Sequence, residues 1–221
     1  MGGMFLIRRK VLALFVLFLL SCPASVLPGV NSSSDEPEFT HNSSVPFPAA
    51  RSYEEALQFW KTPEDVHGWI AAHFSYDPLR AMLLSETQRT QKERFSIYRP
   101  SEFFDSKTGV CVDLARFAVE TLRRIQPGSN PKYLRIEFEP IRIKGNTLRF
   151  HWLASFRRDG KTYFFADSKR PVHIAGPYHE TRLFIDEYEQ YRRRKIVAFR
   201  ELESYQKQRR TQAKKQASEK P

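Results

Sequence analysis

From Trp60 to Ile125 apolar residues recur at helical spacing, and from Tyr133 onward they alternate with polar ones. That change of period predicts helices followed by strands. Thr62-Pro63-Glu64-Asp65 offers a capping threonine, proline at the first helical position and acidic groups in the first turn, with Val66, Trp69, Ile70 and His73 on one face behind it. On that face His73 reads as a packed histidine. Asp77-Pro78 opens another helix through Leu79, Met82 and Leu83, which makes Asp77 a cap, and Ser101 to Asp105 reads as a short helix capped by Ser101. Thr108 to Val110 is a glycine-containing loop. Behind it Cys111, Ala115, Ala118, Leu122 and Ile125 form an inward stripe that ends at Gln126-Pro127-Gly128. Asp113, two residues after the cysteine, falls off that stripe and reads as exposed or structural.

Leu134, Ile136 and Phe138 then alternate with Arg135, Glu137 and Glu139, and Pro140 marks an edge or a bulge. Lys144-Gly145-Asn146 turns the chain into Thr147 to Arg157, and Arg158-Asp159-Gly160 turns it into Lys161 to Asp167. Helices followed by meandering strands predict an α+β domain with an antiparallel sheet.

The two ends differ from this middle. Arg8, Arg9 and Lys10 precede the apolar run Val11 to Leu20, and the small residues Ser21, Ala24 and Ser25 follow, the pattern of a signal peptide over residues 1–24. The run is shorter than the roughly 20 residues of a membrane-spanning helix. Two endings compete: a lipoprotein signal ending at Cys22, or ordinary cleavage near Ala24. The first predicts a membrane-anchored lipoprotein, the second a periplasmic or secreted protein. Residues 25–50, rich in Ser, Pro and Asn, read as a disordered spacer. One domain is left, at 51–191.

The formal charge of +11 suggests an anionic partner until it is divided by position. Residues 25–191 carry 22 basic and 22 acidic groups, whereas residues 192–221 carry 11 basic and three acidic. The domain is neutral, so nucleic acid is not expected as a partner. The 192–221 segment reads as a basic tail, helical at first and then disordered. It is either a solvated end or a contact for an anionic membrane or polymer.

Cys111 changes the picture most. An exported chain normally pairs its thiols, and the only other cysteine, Cys22, lies at the edge of the targeting segment. A thiol where a loop enters a helix sits where its pKa is lowered, which favours a nucleophile over an inert core group. A nucleophile needs a base and a group to orient that base. His151 and Asp167 can supply both if they meet across the hairpin. A two-residue turn at Asp159-Gly160 pairs His151 with Ser168 and sends Asp167 to the other face. A three-residue turn pairs it with Asp167, so a triad requires the odd loop or a single bulge. His173 and His179, flanking Gly176-Pro177, are a rival source of base. No histidine spacing suits a metal, and no glycine loop suits a nucleotide phosphate.

Gly109-Val110-Cys111-Val112-Asp113-Leu114-Ala115, His151-Trp152 and Phe165-Ala166-Asp167, in that order and spacing, resemble the transglutaminase-like cysteine-hydrolase core. Trp69 to Asp77 resembles the helix and turn that precede it. The resemblance covers about residues 60–170 and implies a papain-like arrangement, with Cys111 as nucleophile, His151 as base and then acid, and Asp167 as orienting acceptor. It implies cleavage of a peptide or isopeptide amide through a thioester, with Cys111's own amide as a donor to the oxyanion; the family's animal cross-linkers use calcium, but no acidic loop here suggests it, so no cofactor is expected. Two alternatives accompany it: an amine-accepting cross-linker, and a non-catalytic binding protein on the same fold.

Overall fold

Cap chemistry puts each early helix where it starts in the computed structural model, which describes residues 47–84, 96–143, 146–170 and 173–206. The signal segment with Cys22, the spacer up to residue 46 and the tail beyond residue 206 lie outside the described residues. Helix α1 (Tyr53–Phe59) follows Ser52, whose hydroxyl accepts from the Glu55 amide. Helix α2 (Pro63–His73) starts with a capping box: the Thr62 hydroxyl accepts from the Asp65 amide and the Asp65 carboxylate from the Thr62 amide. Asp77 caps α3 (Pro78–Leu83) by accepting from the Arg80 amide at 2.9 Å. In α4 (Pro100–Ser106) the cap position belongs to Arg99 rather than Ser101. Pro100 is suited to the first helical position, and Glu102 reaches back to the Arg99 amide at 2.8 Å.

Two short strands, β1 (Ser75–Tyr76) and β2 (Thr108–Gly109), pair in parallel and tie the end of α2 to the start of α5 (Cys111–Ile125). The second half is one antiparallel sheet. Its strands are β3 (Lys132–Ile143), β4 (Asn146–Arg158), β5 (Lys161–Phe165), β6 (Ala175–Tyr178) and β7 (Ile196–Leu202), in the order β6-β5-β4-β3-β7, with α6 (Thr181–Arg192) between β6 and β7. This is the α+β architecture that the change of period predicts.

Two expectations change here. The segment after Arg192 does not continue as a helix: Arg193 takes a left-handed C-cap conformation, and β7 pairs with β3 from Tyr133↔Leu202 to Phe138↔Ile196. The sheet therefore runs past residue 191. Its arginines and lysines hide a strand whose half-buried positions are Ile196, Ala198, Phe199 and Leu202. Pro140 marks a bulge and not an edge, because β3 lies between β4 and β7 and its register slips between Glu137 and Ile141.

The sheet is covered on both sides. Helix α5 packs on β4, and with α1, α2 and α4 it encloses an aromatic core in which Trp69 lies 4.8 Å from Phe117 and 4.9 Å from Phe104, ring centre to ring centre. Helix α6 covers the other side through Phe184, Ile185 and Tyr188, against Leu134, Ile136, Phe138, Leu153 and Phe164. Among the described residues no helix is long and apolar enough to cross a membrane.

Candidate active site

The thiol's position is fixed by the residues around it. Cys111 is the first residue of α5, reduced and half-buried. Gly109 is required two residues earlier, since a Cβ there would lie 2.8 Å from the Phe103 ring and 3.0 Å from Asp113 Cβ. Asp113, expected to be exposed or structural, is fully buried and structural. Its carboxylate accepts from Arg80 Nε at 2.7 Å and Nη2 at 2.8 Å, from the Tyr98 amide at 2.8 Å and from the Val110 amide at 3.0 Å. One carboxylate thus caps α5 just ahead of the thiol and links it to α3 and to the segment before α4. Sequence reading misses this role because Arg80 is 33 residues away.

The base and its acceptor do meet. His151 Nε2 lies 2.8 Å from Asp167 Oδ1, both side chains being buried. The route is not the three-residue turn. The β4–β5 connection is the two-residue Asp159-Gly160, both with positive φ (51° and 72°), and Arg158 pairs with Lys161. In that register His151 would face Ser168. However, the pairing ends at Ala154↔Phe165, and Ala166 adopts a left-handed conformation at φ 58°. That single residue reverses the alternation and turns the Asp167 carboxylate toward the ring. A non-glycine residue there costs about 1–2 kcal/mol, and such strain persists only where the surroundings hold it. Here the same Oδ1 also accepts from the Lys169 amide at 2.8 Å.

Helix α6 completes the surroundings of the pair. The Tyr188 ring stacks on the His151 ring at 6.1 Å and 13°, and Arg192 Nη1 donates to the Tyr188 hydroxyl at 3.0 Å. Burial pushes the Asp167 carboxyl up, but the hydrogen bond and charge of His151, the Lys169 amide and the Arg192 charge outweigh it and leave it below the ordinary range. Burial, then the charge of Asp167, raises the Tyr188 hydroxyl well above its usual value, so it stays a neutral donor. Neither residue stands out in the sequence, where α6 reads as the end of the domain.

The structure brings His151 and Asp167 together on the α6 side, while Cys111 packs into the cluster on the α5 side with Trp152 and Ala154. Strand β4 runs on past the end of β5, so at His151 its β5-side edge has no strand partner among the described residues. His179 is elsewhere, against Lys161 Nζ at 2.8 Å. His173 neighbours His67, and it is His151 that engages Asp167. No group of three or more His, Cys, Asp and Glu among the described residues is placed to hold a metal ion.

The family model described as a transglutaminase-like domain matches residues 55–197, about two thirds of the chain. The chain belongs to the transglutaminase-like family. Among curated proteins no match to it is found. The transglutaminase-like match runs from α1 into β7 and so agrees with the structure in carrying the domain beyond residue 191. Domains of this family are usually cysteine-dependent enzymes.

Proposed function

We propose that this transglutaminase-like protein is an exported thiol hydrolase that cleaves a peptide or isopeptide amide, with Cys111, His151 and Asp167 as its triad. The observation that carries the reading is the buried His151–Asp167 hydrogen bond of 2.8 Å, held by a strained Ala166, in a domain whose helix α5 begins with a thiol. With Nε2 engaged by the carboxylate, Nδ1 is the ring nitrogen left to take the proton of Cys111. The thiolate attacks the amide carbonyl and His151 returns the proton to the leaving amine. Water then attacks the thioester with His151 as base, releasing the acid and regenerating the thiol. The Cys111 amide donates to the oxyanion. Export rests on the signal pattern of residues 1–24, and the charge of the segment beyond residue 206 suits an anionic surface.

Alkylation of Cys111 by iodoacetamide across pH tests the reading. Labelling that persists well below the free-thiol pKa of about 8.5, and weakens in His151→Ala, is the expected result. An ordinary thiol titration unchanged by His151→Ala would refute it and leave a binding protein on the same fold. Release of free amine, against amine incorporation into the same acyl donor, separates hydrolase from cross-linker.

A further inference from the structure

Trp152, the residue after His151, heads a row of three cross-strand neighbours: Trp152 on β4 pairs with Arg135 on β3, which pairs with Arg200 on β7. The row lies on the α5 side, two residues along β3 from Tyr133 of that core. It lines a cavity of about 370 Å³ together with Glu201 and Leu202 to Gln206. Of these, Tyr205 carries Arg116 of α5, five residues from Cys111, over its ring at 4.9 Å. The strand of the imidazole thus lines the cavity through Trp152, and the helix of the thiol reaches its wall through the Arg116–Tyr205 contact.

Two arginines directly opposite on neighbouring strands repel each other. Neither lies within 4.0 Å of a carboxylate among the described residues, although carboxylates stand close by. Glu203 is engaged by Arg123 and Lys132, and Glu201 by Thr181. Arg135 lies over the Phe150 ring at 5.0 Å, and Arg200 is exposed. Two guanidinium groups beside an indole and a phenol, in a cavity of this size, make a receptor for a carboxylate on a short organic chain.

We infer that this cavity is an acidic-residue subsite, binding a carboxylate of the peptide substrate between Arg135 and Arg200 with its chain against Trp152. The assignment rests on the hydrolase reading only for the word substrate; the binding itself requires no chemistry at Cys111. It sets specificity by charge, since a neutral chain would leave the two cations facing each other.

The test uses the full chain as Cys111→Ala, so that binding is read without turnover. Its probes are two N-acetylated, C-amidated peptides of one sequence, differing only as Glu against Gln, followed by the same Gln peptide with a free C-terminus. The Glu peptide should bind about tenfold more tightly than its Gln counterpart. That margin should shrink with salt, fall in Arg200→Gln and Arg135→Gln, and return in Arg135→Lys. Tight binding of the free-acid Gln peptide would place the terminal carboxylate, rather than the side chain, in the subsite. Equal affinity for all three peptides, including no binding of any, overturns the inference. So does a Glu preference that survives both arginine substitutions. If the alkylation test fails while the Glu preference stands, the hydrolase reading falls and the subsite remains.

Discussion

The two sides of the sheet bury very different chemistry. Towards α5 the interior is aromatic and aliphatic, with Trp69, Phe74, Phe103 and Phe117 almost inaccessible. Its buried ion pair, Arg80–Asp113, is further hydrogen-bonded to the Ser96 carbonyl and to the Tyr98 and Val110 amides. Towards α6 a smaller apolar patch surrounds His151, Asp167, Tyr188 and Arg192, all buried. Burying charge without full pairing costs several kcal/mol per ion, whereas the same volume of leucine would stabilise. The α6 side thus gathers the buried imidazole and its acceptor, while the α5 side pairs most of the packing with one ion pair that caps the helix of the thiol. Perturbed ionisable groups gather at functional sites.

The contrast breaks most sharply if charge on the α5 side proves dispensable. Asp113→Ala leaves Arg80 buried without its carboxylate and removes the cap of α5, so urea unfolding should show a loss of about 3–5 kcal/mol. A loss below about 1 kcal/mol would mean that the thiol's helix is held by packing alone.

An intermediate effect belongs to His67, on α2 against Phe165. Burial, then the charge of His173, opposed by Glu64, pushes its imidazole down to about 4 from 6.5. The unfolded chain takes up the proton first, so stability is complete above pH 6.5 and is lost as pH falls toward 4. The loss should be about 2 kcal/mol at pH 5, and His67→Phe should remove that slope in melts between pH 4 and 7.

The smallest effect sharpens the comparison. Tyr188→Phe keeps the ring on His151 but deletes the hydroxyl that accepts from Arg192, at a cost of about 1 kcal/mol. It also removes the hydroxyl's hydrogen bond to Asp167, which should raise that carboxyl toward its ordinary value. Asp167 contributes stability above its unfolded pKa that is lost as pH falls through its lowered folded value, so the acid transition of the variant should begin at higher pH. An unchanged acid transition would make Tyr188 a packing residue only.

Much of this molecule is legible locally. Thr62-Pro63 and Asp77-Pro78 start their helices because a side-chain oxygen and a preset φ act within a few residues. Asp159-Gly160 forms its hairpin because both residues tolerate positive φ. The requirement for one break in alternation between His151 and Asp167 was also legible, but not its place. Nothing about Ala166 favours the left-handed conformation, and only the buried carboxylate, drawn to His151 and the Lys169 amide, holds it there. Strand β7 was hidden for a related reason: Arg193, Arg194 and Lys195 lead into it and Arg200 sits within it, and only pairing with β3 makes it a strand.

The residue pattern alone determined the order of helices before strands and the thiol at a helix start, because periodicity and caps act over a few positions. Tertiary structure decided which face the imidazole and carboxylate share, that Asp113 serves α5 from within, and that Arg135 and Arg200 stand side by side. Those outcomes depend on strand register and on contacts between distant segments, where a single left-handed residue moves a side chain from one side of a sheet to the other.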